Sequence, residues 1–298
     1  TSPEILAHLL KYDSIHGRFP GKVTSTKSSI KVGTETFEVL TERDPAKLPW
    51  KKLGVDVAIE STGLFTKRDD AAKHLAAGAK RVLLSAPGKG VDLTVVFGVN
   101  HDKLTKDHIV ISNASCTTNC LAPVVKVIHE AIGIRHGSIT TIHDVTNTQT
   151  IVDRPAKDMR RARSALLNLI PTTTGSATAI TLIYPELKGR LNGHAVRVPL
   201  LNASLTDCVF ELERATTAEE VNALFKAAAD GPLHGILGYE TPALVSSDFT
   251  NDPRSAIIDA QSTMVINGTQ LKVYAWYDNE WGYACRLADI ARMVTGAM

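Results

Sequence analysis

Between residues 55 and 132, short apolar runs alternate with stretches of helical composition. The runs that we predict as strands are almost continuously apolar and cover residues 55–62, 80–87, 93–100 and 108–115. We predict helices at 67–78, with Thr66 as its N-cap and Gly78 as its end, and at 116–132. Such an alternation is typical of a parallel sheet covered on both faces, and it indicates an α/β architecture.

The first forty residues predict a helix and then a hairpin. Ser2 is a suitable N-cap and Pro3 suits the first helical position, so a helix should run to about Lys11. The segment 28–40 then alternates between polar and apolar residues, with Gly33 near the predicted turn.

From residue 138 onward the predicted strands are longer and alternate more regularly. They cover residues 138–146, 194–201, 204–213, 262–268 and 269–279. The dipeptide Asn267-Gly268 predicts a hairpin between the last two strands. Thr217 and Glu220 predict a capping box for a helix that ends at Gly231. The pattern of this half of the chain predicts a mostly antiparallel sheet with helices on one face. The pattern of apolar and polar residues changes near residue 115, where we place the domain boundary.

A last helix is predicted from about residue 280 to 294. It places one apolar stripe on a single face, formed by Leu287, Ile290, Ala291 and Val294.

The composition narrows the class of protein. The chain has 298 residues, 44% hydrophobic and 21% charged, which fits one large or two smaller globular domains. No apolar run is long enough to predict a membrane span. Lys and Arg total 33 against 31 acidic residues, so the balance indicates neither a nucleic-acid nor a membrane partner. Four cysteines without paired spacing and the lack of a secretory signal in the sequence predict a reducing, cytoplasmic location.

Cys116 is the first candidate for chemistry. Ser115 is the predicted N-cap of the helix at 116–132, so Cys116 should lie in the first turn, where unpaired N–H groups and the helix dipole stabilise a thiolate. Position alone leaves a nucleophile and a buried structural thiol equally open. Cys120, one turn further, is expected to be inert, and no second Cys or His pair completes a metal site.

His143 lies near the predicted end of a strand, where sites of α/β proteins collect. A cysteine nucleophile needs a base or cation beside it, and histidine is the usual choice. Most of the ten histidines must nevertheless be ordinary surface or core residues.

Five segments in a fixed order give a specific resemblance. They are SNASCTTNCLAPV, TTIHDVTNTQ, IPTTTGSATA, NGHAVRVP and WYDNEWGY. Together they resemble the phosphorylating glyceraldehyde-3-phosphate dehydrogenases, and the resemblance covers the whole chain from LAHLLKYDSIHGRF onward. It implies an incomplete Rossmann-type parallel-sheet domain for dinucleotide binding (residues 1–115 with the helix 280–298) and an α+β catalytic domain with a mostly antiparallel sheet (116–279).

The resemblance also implies roles for individual residues. Cys116 would attack glyceraldehyde 3-phosphate, and His143 would take and return the proton. Thr146 and Arg197 match the positions that bind the substrate phosphate. The positions that bind the attacking inorganic phosphate are matched by Ser115, Thr117, Thr174, Gly175 and one arginine of RRARSA, for which we take Arg163.

The cofactor implied is NAD, with NADP left open. Asn279 matches the position that holds the nicotinamide carboxamide, although it could also cap the last helix. The strand ends that match positions lining the cofactor are Ser61, Thr62, Gly63 and Ser85. Arg154 would suit a 2′-phosphate and Pro155 tends to accompany NAD, so we favour NAD.

The family's glycine-rich first segment, of the GFGRIGR type, is not in this sequence. We favour an incomplete record of a longer enzyme, and we expect weak or absent dinucleotide binding if these residues are the whole polypeptide.

Several alternatives stay open. Parts of the sequence are similar to the subgroup associated with arsenate, which would replace phosphate as the acyl acceptor. A related activity on erythrose 4-phosphate is a second alternative, and a truncated non-catalytic interaction protein is a third. The family resemblance further implies a homotetramer, with residues 146–171 at a subunit contact.

Overall fold

A computed structural model describes residues 1–296. Its helices are α1 (Pro3–Lys11), α2 (Trp50–Leu53), α3 (Arg68–Ala71), α4 (Lys73–Ala76), α5 (Cys116–Ala131), α6 (Ser176–Ile180), α7 (Ala218–Asp230) and α8 (Trp281–Gly296). The strands before α5 are β1 (Tyr12–Asp13), β2 (Gly17–Arg18), β3 (Val23–Ser25), β4 (Ser29–Val32), β5 (Glu35–Glu38), β6 (Val57–Glu60), β7 (Arg81–Leu84), β8 (Leu93–Thr94) and β9 (Val110–Ser112). The later strands are β10 (Ile134–His143), β11 (Ile170–Thr173), β12 (Leu191–Arg197), β13 (Ser204–Leu212), β14 (Leu237–Glu240), β15 (Ala256–Asp259), β16 (Met264–Ile266) and β17 (Gln270–Tyr277).

The first half contains the predicted parallel sheet, in the order β6-β7-β9-β8 with every pairing parallel. Leu83 and Ile111 of this sheet are fully buried, and Ile290 and Val294 of α8 pack against them. The apolar stripe predicted for the last helix is therefore confirmed, and it attaches the C-terminal end of the chain to the parallel sheet.

The second half is built on a sheet of eight strands. Its order is β11-β12-β10-β13-β17-β15-β14, and β16 adds to β17. Most neighbours are antiparallel, whereas β10 with β12 and β14 with β15 are parallel. Helices α5 and α7 share one apolar core with the strands, which includes Leu121, Phe210 and Phe225. The predicted α/β class, with a parallel sheet and a mostly antiparallel one, is confirmed. The boundary near residue 115 stays a prediction, and residues 297–298 of the predicted C-terminal unit lie outside the described residues.

Two predicted elements differ from the structure. Residues 67–78 form two short helices that meet at Ala72, and Thr66 is not the cap, because the N-cap position belongs to Lys67. Lys67 bridges to Lys89 in a parallel pairing, which delays the start of the helix. The strand predicted at 93–100 ends at Thr94. The side-chain amide of Asn100 donates to the Thr94 carbonyl and accepts the N–H of Val96, and these two bonds fold the chain into a turn.

The local turn and cap signals are mostly confirmed. Ser2 accepts the N–H of Ile5 at the start of α1. Asn267 and Gly268 both have positive φ, +50° and +78°, within the three-residue loop 267–269 that joins β16 to β17. Thr217 caps α7, but the carboxylate of Glu220 turns away to Arg214 and Thr216, so only half of the predicted capping box forms.

Among residues 1–296, no helix is both long enough and apolar enough to cross a membrane.

Candidate active site

The start of α5 fixes the position of Cys116. Ser115 is the N-cap, and its hydroxyl accepts the N–H of Thr118 at 3.1 Å. The side-chain amide of Asn119 donates to the carbonyls of Asn113 and Ser115, at 2.8 and 3.0 Å. These bonds hold the junction between β9 and α5, and Cys116 becomes the first residue of the helix, as predicted.

The side chains of Cys116 and His143 lie next to each other, although they come from α5 and β10. His143 is the last residue of β10 and is almost fully buried, while Cys116 is partly exposed. Its sulfur lies 3.5 Å from Nε2 of the imidazole. The two side chains are therefore within reach of a direct proton transfer.

The surroundings favour the charged forms of both groups. Burial raises the pKa of the Cys116 thiol, but His143, the N–H of Thr117 and the Arg197 cation outweigh it, so this pKa lies below its usual value. Burial lowers the pKa of His143, but Asp144 and the Cys116 sulfur outweigh it and raise that pKa to about 9. Both shifts favour the thiolate–imidazolium pair over the neutral thiol and imidazole.

The other three cysteines lack this environment. Burial raises the pKa of Cys120 to about 12 and raises the pKa values of Cys208 and Cys285. Of the four thiols, only Cys116 has a lowered pKa.

Two charged residues flank Nδ1 of His143. Arg197 is paired with His143 in the parallel register of β12 and β10, and its Nη1 lies 2.5 Å from Nδ1. Oδ1 of Asp144, which follows His143 in the chain, lies 2.8 Å from the same atom. Nε of Arg197 is buried without a hydrogen-bond partner among the described residues. Such a donor is suited to bind an anionic ligand.

Tyr277 packs against the buried side of the Cys116–His143 pair. Its ring meets the His143 imidazole edge to face, with centroids 5.9 Å apart. Its hydroxyl bonds the hydroxyls of Thr117 and Thr141 at 2.9 and 2.8 Å. The Thr117 hydroxyl, predicted to bind phosphate, is therefore buried against Tyr277, and only the Thr117 backbone faces Cys116.

A group of hydroxyls joins the start of α5 to α6. Ser176 bonds Thr174 at 2.9 Å and lies 3.5 Å from the Ser115 hydroxyl. Gly175 is exposed at the N-cap of α6, and a Cβ there would meet open space. The structure thus brings Ser115 close to Thr174 and Gly175, which lie 59 and 60 positions further along the chain.

The structure places Arg163 differently from the role we took for it. Arg163 is exposed and bonds the Asp153 carboxylate at 2.8 Å. Arg161 instead bonds Thr172 of β11, at 3.1 and 3.0 Å, and its charge acts on Arg197. Arg160 also reaches β11, at the Pro171 carbonyl 3.4 Å away, but it is exposed. Strand β11 lies beside β12, so the half-buried Arg161 is the arginine of RRARSA that we assign to the side of the site. Thr146 is half-buried, and its hydroxyl bonds Gln149.

The ends of the parallel strands form the second part of the site. Glu60 ends β6 and is buried, and it accepts the N–H of Thr62 at 2.8 Å as well as the Thr62 hydroxyl. Gly63 follows with φ +73°, next to open space. The N–H of Ser85 bonds the Glu60 carbonyl, so the loops after β6 and β7 are adjacent.

Glu60 is itself held from behind. Nε2 of His74 lies 3.0 Å from its second carboxylate oxygen, and the indole N–H of Trp50 donates to Nδ1 of the same ring at 3.0 Å. This bond fixes the His74 tautomer, with the ring proton directed at Glu60.

Asn279 is connected to the Cys116–His143 part of the site through Ser204, whose hydroxyl also accepts the N–H of Asp144. Its carbonyl oxygen accepts from Ser204 at 3.1 Å. The helix-cap alternative is wrong, because Asp278 takes the first N–H groups, those of Glu280 and Trp281. The Asn279 amide group is therefore free of a capping duty.

Sequence reasoning missed five residues of the site: Asp144, Arg161, Ser176, Ser204 and Tyr277. Asp144 carried a signal, because an acidic residue next to a candidate base is a common partner. Ser204 and Tyr277 are brought in by strand register, Ser176 by α6, and Arg161 by the segment before β11. Among residues 1–296, no cluster of His, Cys, Asp or Glu could hold a metal ion.

Comparison with known proteins gives matches over most of the chain. Residues 115–279 match the model of the C-terminal domain of glyceraldehyde 3-phosphate dehydrogenase, and residues 1–68 match the model of its NAD binding domain. Glyceraldehyde-3-phosphate dehydrogenase 1 of Bacillus subtilis (strain 168) is 55% identical over 99% of this chain and 88% of its own length. The Geobacillus stearothermophilus enzyme is 56% identical over 99% and 88%. Glyceraldehyde-3-phosphate dehydrogenase 3 of Nostoc sp. (strain PCC 7120) is 57% identical over 97% and 86%. These matches do not favour an erythrose 4-phosphate enzyme or a non-catalytic protein. The chain belongs to the glyceraldehyde-3-phosphate dehydrogenase family.

Proposed function

We propose that the protein oxidises glyceraldehyde 3-phosphate and transfers the acyl group to an inorganic oxyanion, giving an acyl phosphate when that acceptor is phosphate. The observation that carries this proposal is the Cys116 sulfur, 3.5 Å from His143 Nε2 at the start of α5. Soft thiolates add readily to aldehydes and leave readily from thioesters, which suits both halves of the reaction.

Cys116 begins the reaction. Its thiolate adds to the aldehyde carbon and forms a thiohemiacetal, while the new oxyanion lies within reach of the Cys116 backbone N–H and the His143 ring. His143 donates a proton to this oxygen and takes it back when the carbonyl re-forms. Bound NAD supplies the hydride acceptor for this oxidation. Cys116 is then acylated as a thioester.

The strand ends and Asn279 are the residues that would hold NAD. Thr62 is tied to Glu60, Gly63 leaves open space above the strand end, and Ser85 lies on the next strand. The Asn279 amide group, which has no capping duty, suits a carboxamide partner. Ser61 is exposed on the same turn.

Two oxyanions need partners. Arg197, with its unpartnered Nε, and Thr146 suit the substrate phosphate. The hydroxyls of Ser115 and Thr174, beside Gly175, suit the acceptor that cleaves the thioester, and the position of Arg161 makes it a better second cation than Arg163.

Phosphate and arsenate share shape and charge, so the same hydroxyls suit either acceptor. We propose phosphate, which the glyceraldehyde-3-phosphate dehydrogenase family uses, with arsenate as the alternative. The ratio of kcat/KM for the two anions decides between them.

We also propose a cytoplasmic homotetramer. Within residues 146–171, six large apolar side chains are more than half exposed: Ile151, Val152, Met159, Leu166, Leu167 and Leu169. Exposed apolar sets of this size are typical of surfaces that bind another chain. Sedimentation at micromolar concentration should give four chain masses, and a monomer would contradict the assembly.

The activity test is reduction of NAD by glyceraldehyde 3-phosphate, with and without phosphate. We expect reduction that depends on the acceptor anion, and an acyl phosphate that hydroxylamine traps. A higher kcat/KM for erythrose 4-phosphate, or release of the free acid in the presence of phosphate, would contradict the proposal.

A further inference from the structure

Asp144 has an unusual environment for a carboxylate. It is fully buried, and neither oxygen has a hydrogen bond of regular geometry among the described residues. Its Oδ1 nevertheless lies 2.8 Å from Nδ1 of His143. A buried, unpaired carboxylate is costly, so a cation at this distance is its natural partner.

A competing group faces the same nitrogen. Nη1 of Arg197 lies 2.5 Å from Nδ1 of His143 and can only donate. The Asp144 backbone carbonyl also lies 2.9 Å from Nδ1, but it is a neutral acceptor that Arg197 Nη1 shares at 3.0 Å. If Arg197 alone faced Nδ1, this nitrogen would have to be a bare acceptor, and the single ring proton would lie on Nε2. The ring would then point an N–H at the Cys116 sulfur and could not accept its proton.

We propose that Asp144 is a positioning residue for the Cys116–His143 pair. Its carboxylate holds the proton on Nδ1 of His143 against the Arg197 cation, so that Nε2 faces the sulfur as the proton acceptor. When the Cys116 thiol ionises, its proton moves to Nε2, and Asp144 is the counter-ion of the imidazolium that forms. This inference rests on the proposed function, because it assigns a role to the base of that reaction.

The backbone holds Asp144 at this place. Its N–H donates to the Ser204 hydroxyl at 3.2 Å, and its carbonyl accepts from Arg197 Nη1 at 3.0 Å. The ionisable groups that face His143 are Cys116 of α5, Asp144 of the loop after β10, Arg197 of β12 and the Tyr277 phenol of β17. Burial raises the pKa of Tyr277 well above its usual value, so the phenol stays neutral. Asp144 is therefore the anion that opposes Arg197 at Nδ1.

The test is the pH dependence of Cys116 alkylation in Asp144→Asn, measured with limiting iodoacetamide and peptide mass spectrometry. This substitution keeps the shape of the side chain and removes its charge. We expect the midpoint of the Cys116 profile to rise by about one pH unit, and kcat/KM to fall by about 10- to 100-fold. The alkylation of Cys285 in the same samples should not change.

Asp207→Asn is the matched control. Asp207 is a half-buried carboxylate on β13 that pairs with Lys272, away from the described site. This variant should keep the wild-type profile at Cys116. A folded Asp144→Asn protein with an unchanged Cys116 midpoint and a kcat/KM within about twofold of wild type would overturn the role of Asp144.

Two further measurements cover a folding failure. Asp144→Ser, with a smaller side chain, should show the same upward shift of the Cys116 midpoint. In wild-type protein labelled with ¹⁵N-histidine, Nδ1 of His143 should be protonated at pH 7, and a bare Nδ1 would overturn the inference. If Cys116 is not the fastest-reacting thiol in the wild type, the proposed function is wrong. If it is, but the pH profile of its alkylation is unchanged in the Asp144 variants, only the role of Asp144 is wrong.

Discussion

Around Cys116, buried charges from different elements face one another, whereas the strand ends at Ser61–Gly63 are shaped by bonds between near neighbours. The Cys116–His143 pair depends on Arg197, which strand register brings to Nδ1 of the ring, and on Asp144, which reaches the same nitrogen as the next residue in the chain. At the strand ends, Glu60 bonds the backbone and hydroxyl of Thr62, only two residues away, in an exposed turn.

The difference indicates how each region should respond to change. In the charged cluster, removal of one group leaves another charge buried and unpaired, so effects should be large and depend on pH. The turn at Ser61–Gly63 is exposed, so solvent can replace a bond lost there, and effects should be small and confined to cofactor binding.

The largest effect is expected at the sulfur. Cys116→Ser should lower kcat by at least about 10³-fold, because a neutral hydroxyl replaces the thiolate. Cys285→Ser removes a partly exposed thiol elsewhere and should keep wild-type turnover in the same assay of NAD reduction. Comparable rates for the two variants would remove Cys116 from the reaction.

The next effect is expected at the base. His143→Asn should slow acylation by about 10²-fold or more, because the proton acceptor and the counter-ion of the thiolate are lost together. Rapid mixing should show this loss in the first turnover. An acylation rate within tenfold of wild type would contradict the role of His143.

Arg197 should affect substrate choice more than chemistry. In Arg197→Gln, the preference for glyceraldehyde 3-phosphate over glyceraldehyde, as a ratio of kcat/KM values, should fall by about 10- to 100-fold, the value of a charge-assisted hydrogen bond. The ratio cancels any effect of Arg197 on His143 that the two aldehydes share. A preserved preference would place the substrate phosphate elsewhere.

The smallest effect is expected at the strand ends. Glu60→Gln should raise the KM for NAD by about fivefold, because one hydrogen bond behind the turn is lost, and should leave the KM for the aldehyde unchanged. Asp92→Asn is the control, since Asp92 is a half-buried carboxylate near the same sheet that bonds Arg68. An equal rise in both KM values would place Glu60 in the chemical step.

The same contrast explains what could be predicted from the sequence. The cap at Ser115 and the place of Cys116 at the start of α5 follow from neighbouring residues, and both were predictable. Tyr277 and Ser204 reach the site only through the pairing of β13, β10 and β17, which local patterns do not specify. The hydroxyl direction of Thr117 depends on Tyr277 in the same way.

The choice among the arginines of RRARSA shows the limit most clearly. Three arginines within four residues carry the same charge, and composition cannot tell which one turns inward. The bond from Arg161 to Thr172 and the pairing of Arg163 with Asp153 decide it, and both depend on the fold of the segment before β11.

The central claim is that Cys116 is a thiolate paired with the His143 imidazolium. The most direct measurement is the ultraviolet absorbance of the thiolate across pH, taken as the difference between the wild type and Cys116→Ser. We predict a midpoint below the usual thiol value of about 8.5, and a higher midpoint in His143→Asn. A wild-type midpoint at or above about 8.5, unchanged in His143→Asn, would contradict the account.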